Sequence, residues 1–114
     1  SRGTERFFST NARFEVPITG WLNGIGKLSG KIDCLLVSKD FIEIVDFKTD
    51  RNPPKSEEGV KIKYVTQLAA YADLIKNAFP KRCVHTYLLW TKSNKLMSIT
   101  KDFRNMHLSR FIAN

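Results

Sequence analysis

The chain has 114 residues, 42% of them hydrophobic, which suits one compact domain with a single modest core and leaves no room for a second. Its formal charge of +8 favours a polyanionic partner, either nucleic acid or an anionic membrane surface. No apolar run approaches the roughly 20 residues that cross a bilayer, which argues against a membrane protein and leaves nucleic acid. The only cysteines, Cys34 and Cys83, lack CxxC spacing, which disfavours a disulfide scaffold or a zinc site and fits a reducing, cytoplasmic setting.

The first part of the chain has the pattern of three strands. Residues 14–22 are rich in β-forming side chains, but Pro17 places this run at a sheet edge or bends it. The clearest strands are residues 28–37 and 41–47, which form a hairpin around residues 38–40. The polar composition of residues 49–59 then predicts a mobile loop.

A helix and two further strands follow this loop. Residues 61–79 carry apolar side chains at steps of three and four, which predicts a helix with one buried face that Pro80 closes. Residues 83–91 are typical of a strand, and residues 96–99 can pair back on it. The tail after Thr100 has no pattern that assigns it. The fold class is therefore a mixed α/β or α+β sheet packed by at least one helix.

The hairpin register places two carboxylates opposite each other. If the chain turns on Lys39 and Asp40, Asp33 lies directly across from Asp46. Their Cβ atoms would then be about 5 Å apart, and two unscreened charges at that distance repel by roughly 3 kcal/mol at an effective dielectric constant near 20. A divalent cation held by both carboxylates would offset this repulsion, and hard oxygen ligands suit Mg²⁺ better than zinc.

Lys48 belongs to the same cluster. Side chains alternate along a strand, so Asp46 and Lys48 share one face. An ammonium about 7 Å along the strand can position an attacking water and stabilise charge that develops on a phosphate. Taken alone, an Asp-x-Lys segment at a strand end is more often a surface ion pair or a turn, and that structural alternative stays open.

The predicted helix offers two further candidates. Gln67 and Tyr71 are four residues apart and share a face. Gln67 could hold Lys48 or a DNA backbone oxygen, and Tyr71 could position a phosphate. The alternative is that Tyr71 is a core tyrosine and Gln67 a polar residue at the edge of the apolar stripe.

Three segments together resemble the RecB-type branch of the PD-(D/E)xK nuclease superfamily. They are Gly30-Lys31-Ile32-Asp33, Val45-Asp46-Phe47-Lys48-Thr49 and Gln67-Leu68-Ala69-Ala70-Tyr71. Over about residues 7–99 the chain is similar to the C-terminal nuclease domains of the AddA family of helicase-nuclease subunits, especially the alphaproteobacterial type. The resemblance implies a restriction-endonuclease-like mixed sheet flanked by helices, with residues 1–114 forming a single RecB-type nuclease domain cut from a larger helicase-nuclease.

The resemblance also assigns roles to residues. It implies an Mg²⁺-dependent phosphodiesterase, with Mn²⁺ as an alternative ion, in which Asp33, Asp46 and the backbone carbonyl of Phe47 bind metal. It further implies that Lys48 acts on the attacking water and that Gln67 and Tyr71 support the site. One departure is that RecB-type sites draw a further ligand, often His, from a helix upstream of the first strand. No His precedes Phe14, so this N-terminal helix is expected to lie outside the sequence.

The function expected from these features is cleavage of DNA in bacterial double-strand break repair and recombination, near the nucleoid. Backbone phosphate would be held by four basic residues near the predicted loop: Arg51, Lys55, Lys61 and Lys63. The expected partners are DNA, an ATP-driven helicase region of the same parent chain, and an AddB-like nuclease subunit. Two alternatives stay open: a stand-alone endonuclease or junction resolvase of the same superfamily, and an inactive module that binds DNA or a partner protein.

Overall fold

The computed structural model describes residues 11–113 and Glu5, and it contains one mixed β-sheet with two α-helices. The elements, in chain order, are β1 (Ala12–Leu22), β2 (Gly26–Val37), β3 (Phe41–Lys48), a 3₁₀ turn (Glu57–Gly59), α1 (Ile62–Ala78), β4 (Cys83–Trp90), β5 (Lys95–Ile99) and α2 (Lys101–Ala113). The five predicted strands and the predicted helix are confirmed within a few residues at each end. The expected N-terminal helix falls outside the described residues.

The five strands lie side by side in the order in which they occur along the chain. All neighbouring pairs are antiparallel except β3 and β4, which run parallel because α1 carries the chain back between them. The first strand is a sheet edge, as Pro17 predicted, since a proline cannot donate to a second neighbour. Within β1, Glu15 has a φ of +52°, a left-handed conformation that bends this edge strand opposite Asp33.

The main core lies between the sheet and α1. The helix buries one face, including Val65, Leu68 and Tyr71, against side chains of β2, β3 and β4. Burial of this apolar stripe, rather than helix propensity, is what stabilises a helix of this kind in a domain. A second cluster lies on the other sheet face and contains Cys34, Leu36, Val45 and Leu89.

The tail that the sequence left unassigned forms α2, and Glu57 fixes its beginning. Glu57 Oε1 accepts a hydrogen bond from Thr100 N at 2.8 Å, and Thr100 Oγ1 donates to Glu57 Oε2 at 3.1 Å. Residues 49–56 have no regular secondary structure, as predicted, but the end of the predicted loop forms the 3₁₀ turn Glu57–Gly59, and the residue that follows it, Val60, is buried. Neither helix of the described chain has the length and apolar character needed to cross a membrane.

Candidate functional site

The register of the β2–β3 hairpin brings Asp33 and Asp46 together. The pairs run from Val37 with Ile42 to Cys34 with Val45, which is the predicted register and makes Asp33 and Asp46 the next opposed residues. At that point Asp33 Oδ2 accepts a hydrogen bond from the backbone N–H of Phe47 at 2.8 Å. The Asp33 side chain therefore takes the place of a backbone acceptor, and its carboxyl group is fixed beside Asp46.

The environment of Asp46 disfavours the ionised form of its carboxyl group. Burial raises its pKa from 3.8 to about 6, and the Asp33 carboxylate adds to the rise, while Lys48 opposes it. The Lys48 ammonium forms an ion pair with Asp46 Oδ2, and no other donor among the described residues reaches this buried oxygen. A buried carboxylate in such a position is stabilised by nearby positive charge, which an ammonium or a metal ion can supply.

A buried polar atom of Trp90, at the same strand ends, lacks a hydrogen-bond partner among the described residues. Trp90 is 1% exposed, and its indole Nε1 has no hydrogen-bond acceptor within the described chain. Trp90 pairs with Lys48 in the parallel β3–β4 register, two residues beyond the pair of Asp46 with Leu88. The carboxyl ends of these two strands thus hold a carboxylate oxygen whose close donor is Lys48 and an indole N–H that has no acceptor among the described residues.

Lys48 has a second contact, which the sequence did not predict. Its Nζ lies 3.7 Å from the centroid of the Tyr64 ring, a cation–π contact from the first turn of α1. The pattern placed Tyr64 in the apolar stripe, and it does pack partly buried against the core. Because its ring also covers the ammonium, Tyr64 is a site residue. In the sequence, this role is indicated only by its position in the first helical turn after the loop.

Two of the four basic residues expected to hold phosphate lie beside the same ring. Lys61 Nζ and Lys63 Nζ are each 5.5 Å from the Tyr64 ring centroid. Arg51 and Lys55 are exposed in the irregular segment 49–56, and no contact within the described chain joins either of them to the aspartates. The Tyr64 ring is therefore the centre of a basic cluster that consists of Lys48, Lys61 and Lys63.

Gln67 and Tyr71 are joined to each other rather than to the carboxylates. Gln67 Nε2 donates to Tyr71 Oη across a long 3.4 Å, and no contact in the described part of the chain joins either residue to Lys48. Tyr71 is buried, and a Cβ atom built on Gly30 would overlap Tyr71 Oη. A glycine is therefore required at position 30, because the tyrosine hydroxyl lies against the β2 backbone there. Its role in the Gly30-to-Asp33 segment is to let α1 approach the strand that carries Asp33.

The side chains at this site can supply part of the oxygen ligand set of a hard divalent cation. Asp33 and Asp46 supply carboxylate oxygens, which are ligands of the kind that a hard cation prefers. Within residues 11–113 and Glu5, no group of three or more His, Cys, Asp or Glu side chains is placed to hold a metal. Two carboxylates with few other protein groups are compatible with Mg²⁺, which commonly keeps several waters, and they do not suit zinc.

Parts of this chain are similar in sequence to known proteins. It is 36% identical over 61 residues to an ATP-dependent helicase/nuclease protein of Desulforudis audaxviator, an alignment that covers 54% of this chain and 5% of that protein. It is 33% identical over 79 residues to the CRISPR-associated exonuclease Cas4 of Francisella tularensis subsp. novicida, covering 69% of this chain and 37% of that one. The chain thus spans only a small part of the length of these relatives.

The architecture also matches a solved structure. A candidate exonuclease from Eubacterium rectale superposes with a TM-score of 0.70 at 18% identity, covering 100% of this chain and 46% of the other. That likeness supports a restriction-endonuclease-like α/β fold. The model of one nuclease family matches residues 2–102, which include Asp33, Asp46 and Lys48. On that match, the chain belongs to the PD-(D/E)XK nuclease superfamily.

Proposed function

We propose that this chain is an Mg²⁺-dependent deoxyribonuclease domain that hydrolyses phosphodiester bonds in DNA. The observation that carries the proposal is the buried Asp46 carboxylate, which lies beside Asp33 and whose Oδ2 has no close donor in the described chain other than the Lys48 ammonium. Nucleases of this superfamily typically use a divalent metal ion. When bound, Mg²⁺ supplies Lewis-acid stabilisation of the phosphate and a more acidic water; Mn²⁺ is the alternative ion.

Each site residue then has a role that follows from its contacts. Asp33 and Asp46 hold the cation, with the Phe47 carbonyl as a further oxygen ligand. The Lys48 ammonium is positioned by the Tyr64 ring and by Asp46, so it can donate a hydrogen bond to a phosphate oxygen as negative charge develops there. Gln67 and Tyr71 support the site by setting how closely α1 packs on β2.

The DNA backbone is bound by basic side chains around the site. Lys61 and Lys63 flank the ring that covers Lys48, and Arg51 and Lys55 project from the preceding exposed segment. Contacts of this kind neutralise phosphates without reading base sequence, and each one adds to the salt dependence of binding.

The parent protein is proposed to be an AddA/RecB-like helicase-nuclease of bacterial double-strand break repair and recombination. The helicase/nuclease relative supports this assignment, and the two exonuclease neighbours favour exonuclease-type cleavage. In this proposal, residues 1–114 form one nuclease domain that works in the cytoplasm with a helicase region of the same chain and an AddB-like partner protein. The relatives give no support to the narrower alphaproteobacterial type.

The test is DNA cleavage by the full-length protein, assayed on linear DNA with Mg²⁺ and ATP. Asp46→Ala and Lys48→Ala are each expected to lower the cleavage rate by at least ~100-fold, the size of effect produced by removing a group that stabilises transition-state charge. Asp40→Ala, a change at an exposed aspartate in the hairpin turn, is the matched control and should leave cleavage unchanged. Unchanged cleavage in both site variants would show that this cluster is not the catalytic centre.

A further inference from the structure

An open apolar groove lies beside the proposed catalytic cluster. It encloses about 460 Å³ between the first half of α1, the start of β2 and the end of α2. Ala70 and Tyr71 give it a buried lining, whereas Ile62 and Phe111 are 65% and 56% exposed along it. Sites for small organic groups have this size and this mainly apolar character, with a few polar groups that fix orientation.

The exposed apolar side chains of this groove mark a binding surface. Ile62 lies in the first turn of α1, and Phe111 lies in the last turn of α2, so two separate helices present apolar groups to one space. The end of α2 is held there because Ile112 packs against Gly24 in the β1–β2 turn, where a Cβ atom would lie 2.5 Å from the isoleucine. Apolar patches of this kind, bordered by polar residues, are typical of interaction sites.

The polar border of the groove selects the chemistry of its occupant. Lys63 and Gln67 line the groove, and no Asp or Glu does so among the described residues. Lys63 Nζ is also 5.5 Å from the Tyr64 ring, on which Lys48 Nζ lies at 3.7 Å. Lys63 therefore belongs both to the border of the groove and to the basic cluster around Tyr64, in which Lys48 contacts Asp46. A ligand that is flat and apolar at one end and anionic at the other fits this arrangement.

We propose that this groove binds an unstacked nucleobase of the DNA strand whose phosphate lies at Lys63 and Lys48. The proposal rests on the proposed nuclease function and names the part of the substrate that the groove recognises. Bases pack on aromatic and apolar side chains with little sequence preference, because every base has a π-face. A base inside a duplex is stacked and paired and cannot enter, so the groove takes a base from a single strand or a frayed end.

The test measures binding in EDTA, where neither metal nor cleavage takes part. Fluorescence anisotropy compares an oligothymidylate with an oligomer of equal length whose sites are all abasic, so that both present the same phosphates to the full chain. Wild type is expected to bind the oligothymidylate about tenfold more tightly, as stacking of a base implies. The double variant Ile62→Ser/Phe111→Ser should bind both oligomers with the affinity that wild type has for the abasic one.

A control on the same helix separates this site from a general loss of structure. Met106→Ser changes a 40% exposed apolar residue of α2 that does not line the groove, and it should keep the tenfold preference. If circular dichroism shows that the double variant is unfolded, Ile62→Ser alone is measured, since its side chain is mostly exposed.

Two results would overturn the groove proposal: equal binding of both oligomers by wild type, including no binding of either, or an unchanged preference in the folded groove variants. The result of the cleavage assay with Asp46→Ala is independent of the groove test, because base preference is measured without metal.

Discussion

Replacing Asp46 by Asn is expected to stabilise the metal-free chain at neutral pH. Most substitutions at buried positions destabilise a protein, so this prediction is specific to the proposed site. Its basis is the burial of Asp46 beside Asp33, which raises the pKa of Asp46 from 3.8 to about 6 even though Lys48 is adjacent. Asn has nearly the same shape and carries no charge, so it removes the cost of ionising a carboxyl group in this environment.

The size and direction of the effect follow from proton linkage. Between about pH 4 and pH 6 the folded chain holds a proton on Asp46 that the unfolded chain has lost, so wild-type stability falls as pH rises through this window. One pKa unit corresponds to 1.36 kcal/mol, and a shift of about two units therefore costs about 3 kcal/mol above pH 6. The stability of Asp46→Asn relative to wild type should rise by up to this amount between pH 4 and pH 7. This amount is already net of the ion pair with Lys48, because Lys48 lowers the pKa of Asp46 within the overall rise. In the variant the Tyr64 ring still contacts the ammonium.

The assay is urea unfolding of the 114-residue chain in EDTA at pH 4.5 and pH 7.5, followed by tryptophan fluorescence. Asp40→Asn is the control, because Asp40 is exposed in the hairpin turn and its charge remains in solvent. Addition of Mg²⁺ at pH 7.5 should stabilise wild type but not Asp46→Asn, because only the wild type keeps the carboxylate pair. The reasoning is refuted if the variant loses stability relative to wild type as the pH is raised.

Three other substitutions test separate parts of the structure. Tyr64→Leu should lower cleavage about tenfold while Tyr64→Phe preserves it, since the aromatic face holds Lys48 and cation–π contacts contribute roughly 0.5–2 kcal/mol; equal rates in both would remove Tyr64 from the site. Gly30→Ala should destabilise the chain by about 1–3 kcal/mol in thermal unfolding because its Cβ atom would overlap Tyr71 Oη, and Tyr71→Phe should recover part of the loss. Arg104→Met should cost about 3 kcal/mol, measured by urea unfolding, because the buried Arg104 guanidinium donates three hydrogen bonds, to Val84 O, Ile99 O and Thr86 Oγ1, that the variant cannot make; an unchanged midpoint would contradict this.

The sequence was sufficient to predict the pairing of Asp33 with Asp46, because only local information determines it. A short turn at Lys39 and Asp40 sets the register, and a strand alternates its side chains with a fixed period of two. The same alternation places Lys48 on the face of Asp46. The hydrogen bond from Phe47 N to Asp33 was not predictable, because it depends on how the two backbones separate beyond the last regular pair.

The second helix could not be predicted for a different reason. Residues 101–113 have almost no apolar periodicity, and a buried arginine supplies tertiary contacts of this element beside those of Leu108 and Ile112. Arg104 is 6% exposed and donates hydrogen bonds to Val84 O at 3.0 Å and to Thr86 Oγ1 at 3.3 Å. Burial lowers the pKa of this guanidinium, and the nearby Asp73 carboxylate opposes that shift. A single charged side chain that is buried against another element leaves no periodic signal in its own segment.

Tyr64 has two structural roles, packing in the core and contact with Lys48, and the sequence pattern predicts only the first. Its spacing from Leu68 and Tyr71 accounts for its place on the apolar face, and this helical pattern does not indicate a second role. In the fold, the first turn of α1 lies over the carboxyl end of β3, so the same ring also faces the Lys48 ammonium. Burial raises the pKa of Asp46 to about 6, so its charge depends on pH, whereas a π-face carries no charge to lose. Lys48 therefore has one partner that depends on pH and one that does not, which makes the beginning of α1 a structural part of the site rather than only its support.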